Sequence, residues 1–222
     1  MSIYFLLSTY HFMENTTTTA SQAKKMENYY TFHSKIYDLT RWTFLFGRQQ
    51  LVKSLPFKRD DDFTLLDVGC GTGYNLKNLH ERYPNAKLYG IDVSGQMLEV
   101  AEKKLVGTGT SLIQAPYGPN LAWEQPFDAI VFSYSLSMMN PFWKDLLEQS
   151  LCDLKPGGIL AVSDFHESQF NWFKKWMGLN HVRMDGHLYS WLKKHIPNHQ
   201  VQIKKGYAGV WEYCCFVGQL SS

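Results

Sequence analysis

The chain has 222 residues, 45% hydrophobic and 19% charged, which suits one domain with a full core. Its 22 Lys and Arg against 20 Asp and Glu leave a net charge of +2, and the basic residues lie in dispersed pairs, so composition gives no reason to expect a nucleic-acid partner. Cys70, Cys152, Cys214 and Cys215 form no C-x-x-C pair and have no histidine at zinc spacing, so no metal site is expected and a reduced, cytoplasmic setting fits.

The apolar run at residues 3–7 has no basic residue before it, and is too short for a membrane span and poor as a signal peptide. The tract "ENTTTTASQAKKMEN" after Met13 lacks periodicity. Residues 1–28 are therefore expected to be disordered, with Met13 a second possible start, and residues 29–222 to form a single domain. Residues 29–55, "YYTFHSKIYDLTRWTFLFGRQQLVKSL", repeat apolar positions at three and four and predict an amphipathic helix stopped by Pro56.

Strand and helix patterns then alternate. Residues 63–68 predict a strand, 74–83 a helix, 87–92 a second strand, and 95–106 a helix with Ser94 as its N-cap. Short strands follow at 111–115 and 127–133, a helix at 143–154 stopped by "KPGG", and a fifth strand at 159–164. This alternation predicts an α/β fold, doubly wound, with a mostly parallel sheet covered on both faces. Residues 166–195 read as helical and aromatic-rich, and strands at 200–204 and 211–217, joined through "KGYAG", predict an antiparallel C-terminal pair.

The first strand–helix turn, "LLDVGCGTGYNL", carries Gly69, Gly71 and Gly73. In a doubly wound sheet this turn faces the ligand, and glycine leaves no Cβ in the way. The spacing is G-C-G-T-G, whereas a dinucleotide site uses G-x-G-x-x-G. Asp67 precedes the first glycine, where it would repel a pyrophosphate and suit an ammonium or sulfonium group. Downstream, Asp92 in "GIDVSGQML" ends the second strand, and its two oxygens offer sites for a ribose diol; the plainer alternative is that it caps the next helix.

Together "LLDVGCGTGYNL" and "GIDVSGQMLEVA" resemble the class I S-adenosylmethionine-dependent methyltransferases, over roughly residues 60–165. The resemblance implies a Rossmann-like seven-stranded sheet ending in the antiparallel hairpin, and S-adenosyl-L-methionine as cofactor. It implies that Asp67, Gly69, Cys70, Gly71 and Gly73 hold the methionine end and Asp92 the ribose, with Ser94 and Met97 near the adenosine and Ser133 also at the cofactor. Tyr37 resembles the residue that closes over the methionine end, unless it is a core aromatic of its helix. The family usually has an aspartate after the third strand for the adenine amino group. Here "LIQAPYGPN" stands in its place, which leaves Gln114 or a backbone group.

Two more stretches, "FDAIVFSYSLSMMNPFWKDLLEQSLCDLKPGG" and "HSKIYDLTRWTFLFGR", resemble methyltransferases that build the diacylglyceryl-trimethylhomoserine headgroup, and the related rhodoquinone biosynthesis proteins. That likeness implies an amphiphilic amine or quinone-type acceptor, with the soluble small-molecule methyltransferase, the non-catalytic scaffold of the same fold and the NAD-linked oxidoreductase as alternatives. Methyl transfer is an in-line displacement that needs positioning first, and a protonated acceptor adds a need for a base. Tyr134, Asp164 and His166 end the fourth and fifth strands and are the candidates, although Tyr134 could equally line the cofactor pocket and His166 be a surface residue. Phe170, Phe173 and Trp176 could form a core face, or a cover for an acyl or prenyl tail at a membrane surface near Lys174, Lys175, Lys193 and Lys194.

Overall fold

A computed structural model describes residues 45–179 and 182–221. Strands β1 (Thr64–Val68), β2 (Lys87–Asp92), β3 (Ser111–Gln114), β4 (Phe127–Ser133), β5 (Leu154–Phe165), β6 (His199–Gly206) and β7 (Trp211–Gln219) form one sheet. Its order is β3-β2-β1-β4-β5-β7-β6. The first five strands pair in parallel, while β7 runs antiparallel to both β5 and β6. Strand order reverses between β1 and β4, which places the ligand crevice beyond their carboxyl ends.

The central strands are mainly apolar because both faces are covered. Leu66, Val68, Ile130, Phe132, Leu160 and Val162 enter one core. Their immediate neighbours Leu65, Ala129, Val131, Ile159 and Ala161 enter the other, as the two-residue strand period requires. Helices α1 (Arg48–Ser54), α2 (Tyr74–Arg82) and α3 (Gly95–Lys104) cover the second face through Leu51, Leu76, Leu79, Leu98 and Ala101. Helices α4 (Trp143–Asp153) and α6 (His187–His195) cover the first through Leu146, Leu147, Leu188 and Leu192.

Three expected elements differ. The helix expected over 29–55 exists among the described residues only as α1, because Gly47 adopts φ 85° immediately before it; residues 29–44 lie outside the described part. The fifth strand begins at Leu154, five residues early, because Phe127 pairs with Leu154 and Ala129 with Ile159, so residues 155–158 loop out as a bulge within the strand. Within the continuous helical stretch expected over 166–195 the described residues form two helices, α5 (Asn171–Leu179) and α6, with residues 182–186 non-helical and Gly186, φ 70°, as the N-cap of α6. That segment folds back, with Glu167 and Asp185 forming an antiparallel bridge.

Candidate active site

The turn after β1 has a left-handed backbone at three glycines: Gly69 at φ 72°, Gly71 at 53° and Gly73 at 70°. A Cβ on Gly69 would stand 2.7 Å from the Ser135 Cβ, so the turn needs glycine for space as well as for conformation. Gly73 is the N-cap of α2 and packs on α3, where a Cβ would meet Ala101 at 3.1 Å. The N–H groups of Gly69 and Cys70 donate to the Ile91 carbonyl at 2.8 and 3.1 Å, which ties the turn to the end of β2.

Asp92 completes that link. One carboxylate oxygen accepts the Gly71 N–H at 2.8 Å and the other the Ser94 N–H at 2.9 Å. The capping of α3 falls instead to Ser94, whose hydroxyl accepts the Met97 N–H at 3.4 Å. Asp92 is thus pre-positioned by the glycine turn and keeps lone pairs for further donors. Gln114 stands opposite it in the β2–β3 register, and its amide lies over Gly95, where a Cβ would meet Nε2 at 3.0 Å. Met97 is buried below.

Asp67 is buried, and neither carboxylate oxygen has a hydrogen-bond partner among the described residues. Burial pushes its carboxyl from 3.8 up to about 7, with nearby Asp92 adding to the rise and Arg48 and Asn75 opposing it. Asn75 lies close enough to lower the carboxyl's pKa, although no hydrogen bond of full geometry forms between them. A buried acid with no donor is a group arranged for something that arrives later.

Past β4 the hydroxyls of Ser133 and Ser135 are buried and without a partner among the described residues, while that of Ser137 lies by the Asp164 carboxylate. Tyr134 between them has φ 55°, and its buried hydroxyl donates to the Phe46 carbonyl at 2.7 Å. Burial, then the Asp164 charge, hold the phenol well above its ordinary value, so Tyr134 is a packed donor that resists losing its proton. Asp164 is buried at the end of β5 and accepts the Ser137 N–H at 3.0 Å and the Phe165 N–H at 2.8 Å, which holds the turn after β4 against β5. Burial raises its carboxyl to about 6, with the Ser137 and backbone bonds opposing.

His166 follows β5. Its backbone N–H donates to the Glu212 carbonyl at 2.8 Å, its carbonyl accepts from Gly186 at 2.9 Å, and its ring lies against Gly186. The fold therefore gathers Asp67, Gly69, Cys70, Gly71, Gly73, Asp92, Ser94, Met97, Gln114 and Ser133 along the carboxyl ends of β1 to β4, with Asp164 and His166 at the end of β5. Tyr37 lies outside the described residues. Sequence reasoning passed over Asn75, Ser135, Ser137, Asp185 and His187. The serine alternation in "SYSLS" and the D-G-H step before α6 were the signals available.

The sheet order, the antiparallel β7 and the glycine turn at the switch point define a doubly wound, Rossmann-like fold. Residues 65–158 match the family described as methyltransferase domain. The chain is 29% identical over 139 residues to malonyl-[acyl-carrier protein] O-methyltransferase of Priestia megaterium, an alignment covering 62% of this chain and 50% of that one. It is 37% identical over 97 residues to trans-aconitate 2-methyltransferase of Sinorhizobium fredii, covering 43% of this chain and 36% of that one. The chain thus spans about half or less of the curated relatives it matches.

Among solved structures, a Burkholderia thailandensis 1,6-didemethyltoxoflavin-N1-methyltransferase with bound 1,6-didemethyltoxoflavin and S-adenosylhomocysteine superimposes with a TM-score of 0.67 at 15% identity, covering 90% of each chain. The N-methyltransferase NodS from Bradyrhizobium japonicum, in complex with S-adenosylhomocysteine, gives 0.64 at 15% identity over 79% of this chain and 87% of that one. At these identities the superpositions show the fold.

Proposed function

We propose that the protein is an S-adenosylmethionine-dependent methyltransferase. The observation that carries this reading is the Asp67 carboxylate, buried and unpartnered beside a glycine turn already bonded to Asp92. Asp67 and the turn fit the ammonium-bearing methionine end, Asp92 the ribose hydroxyls, and Gln114 the adenine edge, with Tyr37 proposed as the closing residue. When bound, the cofactor supplies an electrophilic methyl group. An NAD site is the poorer fit, since Asp67 stands where a pyrophosphate would be and would repel it.

Calorimetry with S-adenosylhomocysteine against NADH tests the reading; binding of NADH alone would overturn it, and cofactor binding without turnover on any acceptor would favour a scaffold. Asp92→Ala is expected to weaken S-adenosylhomocysteine by about 1–3 kcal/mol, the range for losing bonds to a charged group. The same loss with a 2′,3′-dideoxy analogue would take the ribose role away from Asp92.

The curated relatives are named for malonyl-[acyl-carrier protein] and trans-aconitate. For this chain we propose an amphiphilic amine or quinone-type acceptor, such as a betaine-lipid headgroup. Support comes from α5, which buries Phe173 and Met177 yet leaves Trp176, Leu179 and, by 63%, Trp172 exposed, as is Phe170 just before it. Lys175 of α5 and Lys193 and Lys194 of α6 are also exposed, a pairing of rings and cations suited to an anionic lipid surface. No helix among the described residues is long and apolar enough to cross a membrane.

A buried tail contributes about 0.8 kcal/mol per methylene, so shortening it is expected to raise KM and leave kcat nearly unchanged. Trp172→Ala is expected to act in the same direction. Turnover on long- and short-tailed acceptors, with and without anionic vesicles, measures this. Equal efficiency in all four conditions would favour a soluble small-molecule acceptor.

A further inference from the structure

The segment between α5 and α6 carries chemistry that the cofactor reading does not use. The Asp185 carboxylate binds Arg183 through one oxygen, with Nε and Nη2 both at 2.7 Å, and bonds His187 Nδ1 through the other. An ionised carboxylate only accepts, so Nδ1 carries the proton and Nε2 of the neutral ring keeps its lone pair. The His187 side chain is only 9% exposed, packed edge-to-face on Trp143 at 4.7 Å, and its Nε2 is buried with no hydrogen-bond partner among the described residues. Nδ1 of His166 is in the same condition.

His166 is near enough to His187 to act on it electrostatically, and backbone bonds tie the residues before His187 to the ends of β4 and β5. His166 directly follows β5, its carbonyl accepts from Gly186, and the Arg183 N–H donates to the Ser137 carbonyl in the turn after β4 at 3.3 Å. That turn also touches the glycine loop, through Ser135 against Gly69. Asp67, Ser133, Ser135 and the two histidines thus each carry a buried polar atom without a hydrogen-bond partner among the described residues.

We infer that the site receives a protic acceptor, a hydroxyl or an amine, and that His187 Nε2 takes its proton while Asp185 holds the imidazole in the required tautomer. The inference rests on the methyltransferase reading and names its acceptor class. As the acceptor's lone pair forms the bond to the methyl carbon, the carbon–sulfur bond breaks, its electrons stay on sulfur, and the acceptor's proton passes to Nε2. A carboxylate acceptor is already ionised at neutral pH and would need no such base. Arg183 is bound to Asp185, and Lys174 is bound to Glu167 at 2.8 Å.

The charged and titratable groups facing His187 are Asp185 and Arg183 from its own segment and His166 from the end of β5. Burial is the largest influence and lowers the imidazole's pKa; Asp185 opposes it, and Arg183 and His166 add to the lowering. The ring is accordingly neutral at pH 7 and able to accept a proton.

The test uses the full chain with three probes of equal tail: decylhydroquinone, decylamine and decanoate. Methyl transfer to at least one of the first two and not to decanoate is expected. His187→Gln is expected to lower that transfer by about 100-fold or more, with S-adenosylhomocysteine binding unchanged and partial rescue by added imidazole. Asp185→Asn, at an exposed carboxylate, is the second variant and is expected to lower the rate and shift its pH profile. Nitrogen-15 NMR of the wild-type histidines supplies a readout independent of turnover, with Nδ1 of His187 protonated and Nε2 bare at pH 7.

Transfer to decanoate alone, transfer to no probe by a chain that binds S-adenosylhomocysteine, unchanged turnover in His187→Gln, or a protonated Nε2 would each overturn the inference. Absence of S-adenosylhomocysteine binding in the wild type would instead overturn the methyltransferase reading beneath it.

Discussion

Asp67→Asn is expected to stabilise the ligand-free protein at pH 8 while weakening its grip on S-adenosylhomocysteine. The folded-state carboxyl sits near 7 against an ordinary 3.8, chiefly through burial. Between those two values the folded chain binds the proton that the unfolded chain has released, so stability falls as pH rises from 3.8 and the loss is complete above about 7. A displacement of that size corresponds to roughly 4 kcal/mol at pH 8. Asparagine keeps the shape and never ionises, so urea midpoints should rise at pH 8 and converge with the wild type near pH 3.

Binding should move the other way. A ligand ammonium needs the ionised carboxylate, so wild-type affinity should climb through pH 6 to 8, and the variant should lose about 1.5–3 kcal/mol and much of that pH dependence. An asparagine variant that is less stable at pH 8 and binds as tightly as wild type would show that Asp67 is held by contacts of its own and has no part in the ligand.

Gly71→Val is expected to abolish measurable S-adenosylhomocysteine binding, a loss greater than about 100-fold, or roughly 3 kcal/mol. Gly71 stands at φ 53°, and its N–H holds the Asp92 carboxylate at 2.8 Å. A side chain at such a φ costs about 1–2 kcal/mol, more for a β-branched one, and any relaxation of the turn releases Asp92 as well. Gly107→Ala supplies the control for strain alone. Gly107 has φ 80°, and an added methyl there would have nothing within 4 Å, so its variant should lose about 1 kcal/mol of stability and no affinity. A folded Gly71→Val protein that binds like the control would remove the turn from the site.

The mixed outcome along the chain follows from where each signal resides. Residues 64–68 and 127–133 are legible as parallel-sheet strands because burial on both faces leaves short, mainly apolar runs. The region 166–195 misleads for a related reason. Its aromatic spacing fits helical periodicity, yet the break before α6 depends on a Glu167–Asp185 bridge and a left-handed Gly186, which periodicity does not register. The early start of β5 is likewise a matter of pairing, since Leu154 becomes strand only by lying beside Phe127.

By itself the sequence determined the α/β class and the glycine turn, because each is written in local residues whose spacing sets the backbone they adopt, whereas the bond from Gly71 to Asp92 joins residues 21 positions apart. Only the tertiary structure decided which polar groups lack partners and where they meet. Asp67 became an orphaned acid through burial, Tyr134 was committed to Phe46 from 88 positions earlier, and His187 was brought within electrostatic reach of His166 while Arg183 bonded Ser137. Hydrogen-bond satisfaction and desolvation are properties of what surrounds an atom in space, and for these residues the surroundings come from segments far apart in the chain.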